Sequence, residues 1–383
     1  MERISPHRLA HIDSIRAIAA LMVVTIHSSA AVVPVRPVAM HAGQVFDWLV
    51  QNLDFGRIGV VLFFVISGFV IPASLREGTR RGEFWVRRAL RLYPAYWVSI
   101  ALAALVHWQI AGSAWSPRVL LANATMLQSF LHVGDLEGVY WTLKLELAFY
   151  AGCYLLHRLG LLRRDWVPGA VALGWLLVFL FYLDYWNGPF PFHLGRLAQE
   201  ATAHAGGGGV AHHAIPGLLN MNWGNFAAYF AAMFTGAGLR RWHDGTMSRA
   251  GSGLLALVLA LWLGLLPVLW LLRNAQGADP GLISIFLAMP FAVALFLLLA
   301  FVFKLRGRVL PLIGAISYSL YLLHPLVLDE IAHLANLAGW SVLGRSTPLL
   351  LALCVLLSLP VSALLFWAVE RPAMQWGRRW SRG

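Results

Sequence analysis

Apolar residues in this chain fall in long blocks rather than alternating or recurring on one helical face. A block of about 20 is what a helix needs to cross roughly 30 Å of hydrocarbon. Ten candidates stand near 15–35, 57–75, 92–112, 138–157, 166–185, 218–239, 252–272, 282–303, 312–335 and 348–369. Turn and breaker residues bound them, among them Pro34, Pro117, Gly188-Pro189 and Asp279-Pro280. A weaker, more polar stretch at 118–132, opened by Trp115, Ser116 and Pro117, reads as a short interfacial or re-entrant helix. The pattern predicts an all-α fold: a polytopic transmembrane helical bundle of about ten spans, one domain over residues 1–383. The one low-complexity segment, Gly206–Gly209, falls in a loop from about 186 to 217.

Composition agrees. Of the 383 residues 59% are hydrophobic and 12% charged, half the charged fraction of an ordinary soluble domain. A net charge of +12 would suggest nucleic acid in a soluble protein, but here the placement of the cations explains it. With the N-terminus inside, one set of alternate loops receives 21 Lys and Arg and the other six, while Arg16 and Lys144 fall within spans. That bias obeys the positive-inside rule and puts both termini on the cytoplasmic side. It predicts membrane lipid rather than nucleic acid as the surroundings. Arg3 and Arg8 followed by Ser28-Ser29-Ala30 resemble a signal peptide, yet Arg16 and His27 interrupt its apolar core, so a retained first span is expected. Cys153 and Cys354 both lie in apolar runs and form no disulfide framework. His193, His204, His212 and His213 match no standard metal spacing, and no metal site is expected.

Ionisable residues inside spans are costly and are candidates for function. His27 follows Arg16 by eleven residues, which is three turns and roughly 16 Å on one helix face at ~1.5 Å per residue. This places His27 near mid-membrane with Arg16 below it; the structural alternative is a packing histidine with a snorkelling arginine. Arg88 and Arg91 share a face at the start of the third span and suit a polyphosphate, though they would equally serve as a positive-inside anchor. Glu146, in Trp141-Thr142-Leu143-Lys144-Leu145-Glu146, is expected about as deep as His27, where it could orient that ring. Lys144 is its alternative partner, although residues two apart point different ways. Ile316 to Pro325 adds Ser317, Tyr318, Tyr321 and His324 before a helix-breaking proline, a pattern that lines cavities. These charges would also serve a transporter or flippase for an anionic or glycan solute, although no matching half-sequences indicate inverted repeats. A scaffold subunit is a third reading. The chain carries no Gly-x-Ser-x-Gly elbow and no P-loop.

Six passages, in order from residue 12 to 372, resemble the acyltransferase 3 family of bacterial membrane acyltransferases. They are Ile12-Asp13-Ser14-Ile15-Arg16 running to His27, Gly59 to Phe69 with Phe63-Phe64-Val65-Ile66-Ser67-Gly68, Phe84 to Pro94 with its Arg-x-x-Arg, Trp141 to Tyr150, and Ile316 to Pro325. Val369-Glu370-Arg371-Pro372 closes the set. Two departures stand out: Leu147 follows Glu146 where members often have a second acid, and Lys144 replaces a commonly small residue.

The resemblance implies transfer of an acyl group, usually acetyl, from cytoplasmic acyl-CoA to a hydroxyl of an extracytoplasmic glycan or related acceptor. It implies a multi-pass protein of the bacterial cytoplasmic (inner) membrane with acyl-CoA as donor substrate and no bound cofactor. His27 then matches the catalytic histidine, Arg16 part of its motif, Arg88 and Arg91 the arginines that hold CoA, and Glu146 the acidic position. Ser317 and Tyr318 are candidate donors to the oxyanion. Some members carry an SGNH esterase-like domain after the membrane part; a chain of this length is expected to be of the form without it.

Overall fold

The computed structural model describes residues 10–30, 53–75, 82–187, 223–274, 280–305, 307–339 and 347–380. The loop histidines and Gly206–Gly209 lie outside them. Every described element is a helix or its connection. In chain order they are α1 (Ala10–Ala30), α2 (Phe55–Val70), α3 (Glu83–Ala111), α4 (Pro117–Ala124), α5 (Trp141–Arg158), α6 (Val167–Asn187) and α7 (Trp223–His243). There follow α8 (Arg249–Ala260), α9 (Leu266–Asn274), α10 (Pro280–Leu297), α11 (Val309–Ala315), α12 (Ser317–Leu337), α13 (Thr347–Leu365) and α14 (Arg371–Trp380). Within the described residues, each of the ten apolar windows falls on one of these helices or a joined pair. Six of the helical stretches are long and apolar enough to cross a membrane, or seven if the bent pair α11–α12 is one span. The windows at 138–157, 166–185 and 218–239 form helices, α5, α6 and α7, that do not meet that test among the described residues.

Local chemistry sets the ends. Asp54 caps α2 by accepting from Arg57 N–H at 3.0 Å. Ser116 caps α4 with Pro117 in its first turn, as the sequence predicts. α4 is only 8 residues long, so this segment does not span. Ile316 breaks the chain between α11 and α12, which meet at 76°.

Two close approaches hold the centre. A Cβ at Gly68 would collide with the Met233 carbonyl and one at Gly236 with the Val65 carbonyl, so α2 and α7 cross at backbone distance. Gly314 meets the Asp13 carbonyl in the same way and draws α11 against α1. Small residues at such crossings are how helices pack in lipid, where no hydrophobic force separates them from the tails.

Ring contacts give the directions. Phe84 lies against Tyr150 and Tyr154 while Tyr96 lies against Tyr140, so α3 and α5 run antiparallel. Phe64 meets Tyr229 and Phe69 meets His243, so α2 and α7 run parallel. Arg87, Arg88, Arg91 and Arg378 share one end of the bundle, here the basic end. α1, α3 and α12 lead away from it, towards the far end.

Candidate functional site

Three features follow one another from the basic end towards the far end. At the basic end a cavity of about 150 Å³ is lined by Ser74, Phe84, Arg87, Arg88, Arg91, Met374 and Arg378. Arg88 donates through Nη2 to the Ser74 hydroxyl at 2.7 Å and lies over the Phe84 and Tyr150 rings at 5.4 and 5.3 Å. Its buried Nε meets no acceptor among the described residues. Arg91 approaches the buried Glu370 carboxylate at 4.0 Å, and Ser319 donates to the other oxygen of that carboxylate at 2.8 Å.

Arg91 also lines the second feature, a narrower cavity of about 70 Å³ deeper in the bundle, with Arg16, Phe63, Ser67, Glu146, Ser317 and Tyr321 on its wall. The second-span passage thus supplies Phe63 and Ser67, and α12 supplies Ser317, Tyr318 and Tyr321. Tyr318 donates to the Leu92 carbonyl at 2.9 Å, which occupies its proton and takes it out of the role of oxyanion donor in this state. Tyr321 donates to the Val139 carbonyl at 3.1 Å and Thr142 reaches the Tyr321 oxygen at 3.0 Å.

The third feature is a pair of histidines. His27 lies in the last described turn of α1, which runs from Ala10 to Ala30. Its Nδ1 stands 2.8 Å from Nε2 of the fully buried His324, and the rings stack at 5.0 Å between centroids. His324 Nδ1 stands 3.0 Å from the Leu320 carbonyl. A carbonyl only accepts, so His324 Nδ1 carries a proton and, in the neutral ring, Nε2 carries a lone pair. His27 Nδ1–H then donates to it, and the lone pair of His27 is left on Nε2. The Tyr321 ring, 6.0 Å from His324, joins the pair to the narrow cavity.

Glu146 stands elsewhere than the sequence suggests. Tyr150 donates to it, and it shares the narrow cavity with Arg16 and Arg91 rather than orienting His27. The reason is the depth at which α5 starts. Tyr140 is bonded to Ser99 at 2.9 Å, midway along α3, so α5 begins inside the bundle. Six residues on, at ~1.5 Å each, Glu146 falls level with Arg91. Lys144 is not its partner either: Lys144 bonds Asp135 at 2.9 and 2.8 Å and Ser129 at 2.6 Å. It holds down the 125–140 segment.

Sequence reasoning gave no role to Glu370, although an acid ending an otherwise uncharged run from 347 to 369 was a signal. It also gave none to a third cavity at the far end, of about 420 Å³, where His107, Trp115, Glu137, Asp329, His333 and Asn336 converge. Burial, with the Asp329 charge nearby, pushes the Glu137 carboxyl up to about 7.

The profile of a family described as an acyltransferase domain matches residues 9–367. Nodulation protein 10 of Rhizobium leguminosarum bv. viciae is 31% identical over 29% of this chain and 36% of its own length. Acyltransferase MdmB of Streptomyces mycarofaciens is 31% identical over 30% of this chain and 32% of its own. Exopolysaccharide production protein ExoZ of Rhizobium meliloti (strain 1021) is 34% identical over 26% and 34%. These matches therefore span about a third of each relative. No solved structure matches the chain. On the breadth of the profile match, the chain belongs to the acyltransferase 3 family.

Proposed function

We propose that this protein is a membrane O-acyltransferase that moves an acyl group, acetyl in the simplest case, from acyl-CoA at the basic end to a hydroxyl of a glycan or related acceptor at the far end. The observation that carries this reading is the His27–His324 pair, which leaves His27 Nε2 as a base. His27 Nε2 takes the acceptor hydroxyl proton as that oxygen attacks the thioester carbonyl. The tetrahedral intermediate then expels the thiolate, which takes the proton from the imidazolium and leaves as CoA thiol. His324 is a positioning residue: its bond to Leu320 sets the His27 tautomer. Arg88 and Arg91 receive the donor's phosphates, a role that the unpartnered Arg88 Nε and the neighbouring Arg87 and Arg378 support. The narrow cavity suits the slender acyl-bearing arm. Arg16 lies on its wall together with Arg91.

The polypeptide crosses the membrane ten times in this reading, with its ends and the basic end on the cytoplasmic side of a bacterial inner membrane. The alternating directions of the helices and the excess of arginines at one end support it. Glycan acceptors are supported by the names of two relatives, one for nodulation and one for exopolysaccharide production.

The test is transfer of radiolabelled acetyl from acetyl-CoA in membranes carrying the protein or its His27→Ala variant. Loss of transfer with retained CoA binding is expected. Retained transfer removes His27 from the chemistry, and retained CoA binding with no transfer by the wild type to any envelope fraction favours a transporter.

A further inference from the structure

The cavity at the far end has no place in the donor chemistry. The last turns of α3, the Trp115 loop, the 136–137 segment and the last turns of α12 enclose it. Trp115 is half-buried and stacks on His107 at 4.3 Å between ring centroids, which fixes the indole plane at its edge. Glu137, Asp329, His333 and Asn336 supply hydrogen-bonding groups around the same space. Among the described residues no lysine or arginine lines it, and two carboxylates do, a lining unsuited to a polyphosphate.

The wall carrying Glu137 is rigid. The fully buried Asn123 side chain donates to the Val119 and Gly134 carbonyls, both at 3.0 Å, and accepts from Leu136 N–H at 3.1 Å. Gln128 and Lys144 both bond Asp135 in the same segment. Gln109 donates to Glu330 at 2.9 Å, tying α3 to α12.

Position completes the argument. Leu92, Tyr96, Ser99, Ala103, Val106 and Ile110 form one stripe along α3, and Tyr318, Tyr321, Pro325, Asp329, Ala332 and Asn336 one along α12. The narrow cavity and the far cavity therefore open on one seam, with Tyr96, Ser99 and Tyr140 buried between them. Asp329 is five residues beyond His324 on the same helix, about 7.5 Å of rise.

We propose that this far-end cavity binds the acceptor as a pyranose ring, with Trp115 packing on the apolar face of the sugar and Glu137, Asp329, His333 and Asn336 bonding its hydroxyls. A sugar is the alcohol that such a site recognises, since it presents an apolar face of C–H groups and a rim of hydroxyls that both donate and accept. A simple lipid alcohol would leave the carboxylates unmatched. The assignment rests on the acyltransferase reading for its purpose, and its test is separate from that reading.

The full chain is placed in lipid nanodiscs, free of glycoside detergent. Saturation-transfer NMR is recorded with methyl α-D-glucopyranoside, methyl β-D-galactopyranoside and N-acetylglucosamine, with glycerol as the non-ring control. The wild type is expected to saturate the ring protons of at least one of them. Trp115→Ala and Asp329→Asn are each expected to lower that signal about 5- to 10-fold, roughly 1–1.4 kcal/mol, and Trp115→Phe to retain most of it. Coenzyme A binding, titrated on the same samples, is expected to stay within about twofold and reports that the variants are folded. Equal signals in Trp115→Ala and the wild type, signal from glycerol alone, or no signal from any pyranoside overturns the proposal. Sugar binding in a protein whose His27→Ala variant still transfers acetyl would sink the catalytic reading and leave this site standing.

Discussion

The two ends of α3 border cavities of different chemistry. The basic end presents guanidiniums, one of them held by a buried carboxylate, and a cavity of about 70 Å³ lies beyond Arg91. The far end is about 420 Å³, has no lysine or arginine on its wall among the described residues, and presents a fixed aromatic plane among acids, histidines and an amide. Charge suits a donor whose phosphates are constant, whereas shape and hydroxyl contacts suit an acceptor chosen among similar rings. Between them a pair of imidazoles holds one lone pair in place. The comparison assigns kcat to the middle, donor affinity to one end and acceptor affinity to the other.

The strongest way to break that division is at the middle. Removing the base as His27→Ala is expected to lower kcat about 10³-fold with unchanged CoA affinity, within the range of general-base catalysis. At the basic end, Arg91→Ala strands the buried Glu370 carboxylate and is expected to destabilise the fold by about 3–5 kcal/mol. Adding Glu370→Gln to that variant recovers much of the loss, read as the folded fraction after solubilisation. Arg88→Gln, by contrast, leaves no buried charge and is expected to raise the Kd for acyl-CoA about 10-fold, the worth of one charge-assisted bond, with kcat for saturated enzyme unchanged. An unaltered Kd would detach this arginine from the donor.

A smaller effect sharpens the positioning role. His324→Ala frees the His27 ring to take either tautomer and is expected to lower kcat about 10- to 100-fold while KM for both substrates holds. His324→Gln, which keeps an acceptor for His27 Nδ1–H, is expected to recover part of that loss. A purely structural His324 would show the same deficit in both.

The smallest effect concerns the far end. The Glu137 carboxyl is raised to about 7, so the folded state binds its proton more tightly than the unfolded chain. Stability is therefore lost as pH rises from about 4.5 through 7. Asp329, His107 and His333 face the same space. Glu137→Gln, a permanent mimic of the protonated form, is expected to raise Tm at pH 8 by about 2–4 °C and to leave it unchanged at pH 5. An equal rise at both pH values would detach the effect from the proton.

What the sequence made legible was local. Apolar block length gave the helices, and Ser116-Pro117 gave the start of α4 where it lies. Arg16, Arg91, Glu146, Ser317, Tyr318 and Tyr321, each marked as candidates, do meet around one cavity. What stayed hidden was depth and long-range pairing. α5 begins halfway down α3 because Asn123, Gln128 and Lys144 draw the preceding segment inward, so counting residues from a membrane surface put Glu146 beside the wrong partner. His27 and His324 are 297 residues apart, and nothing local in either passage points to the other. The far cavity escaped for a similar reason: it draws its polar residues from four segments that carry no shared motif.

The central claim is that the lone pair on His27 Nε2 accepts the acceptor's proton. Single-turnover transfer of labelled acetyl from acetyl-CoA to base-treated envelope glycan measures it most directly, comparing the wild type with His27→Ala in nanodiscs and titrating CoA on the same samples. The account predicts transfer reduced by about 10³-fold with CoA bound at wild-type strength. Transfer within about twofold of the wild type would contradict it.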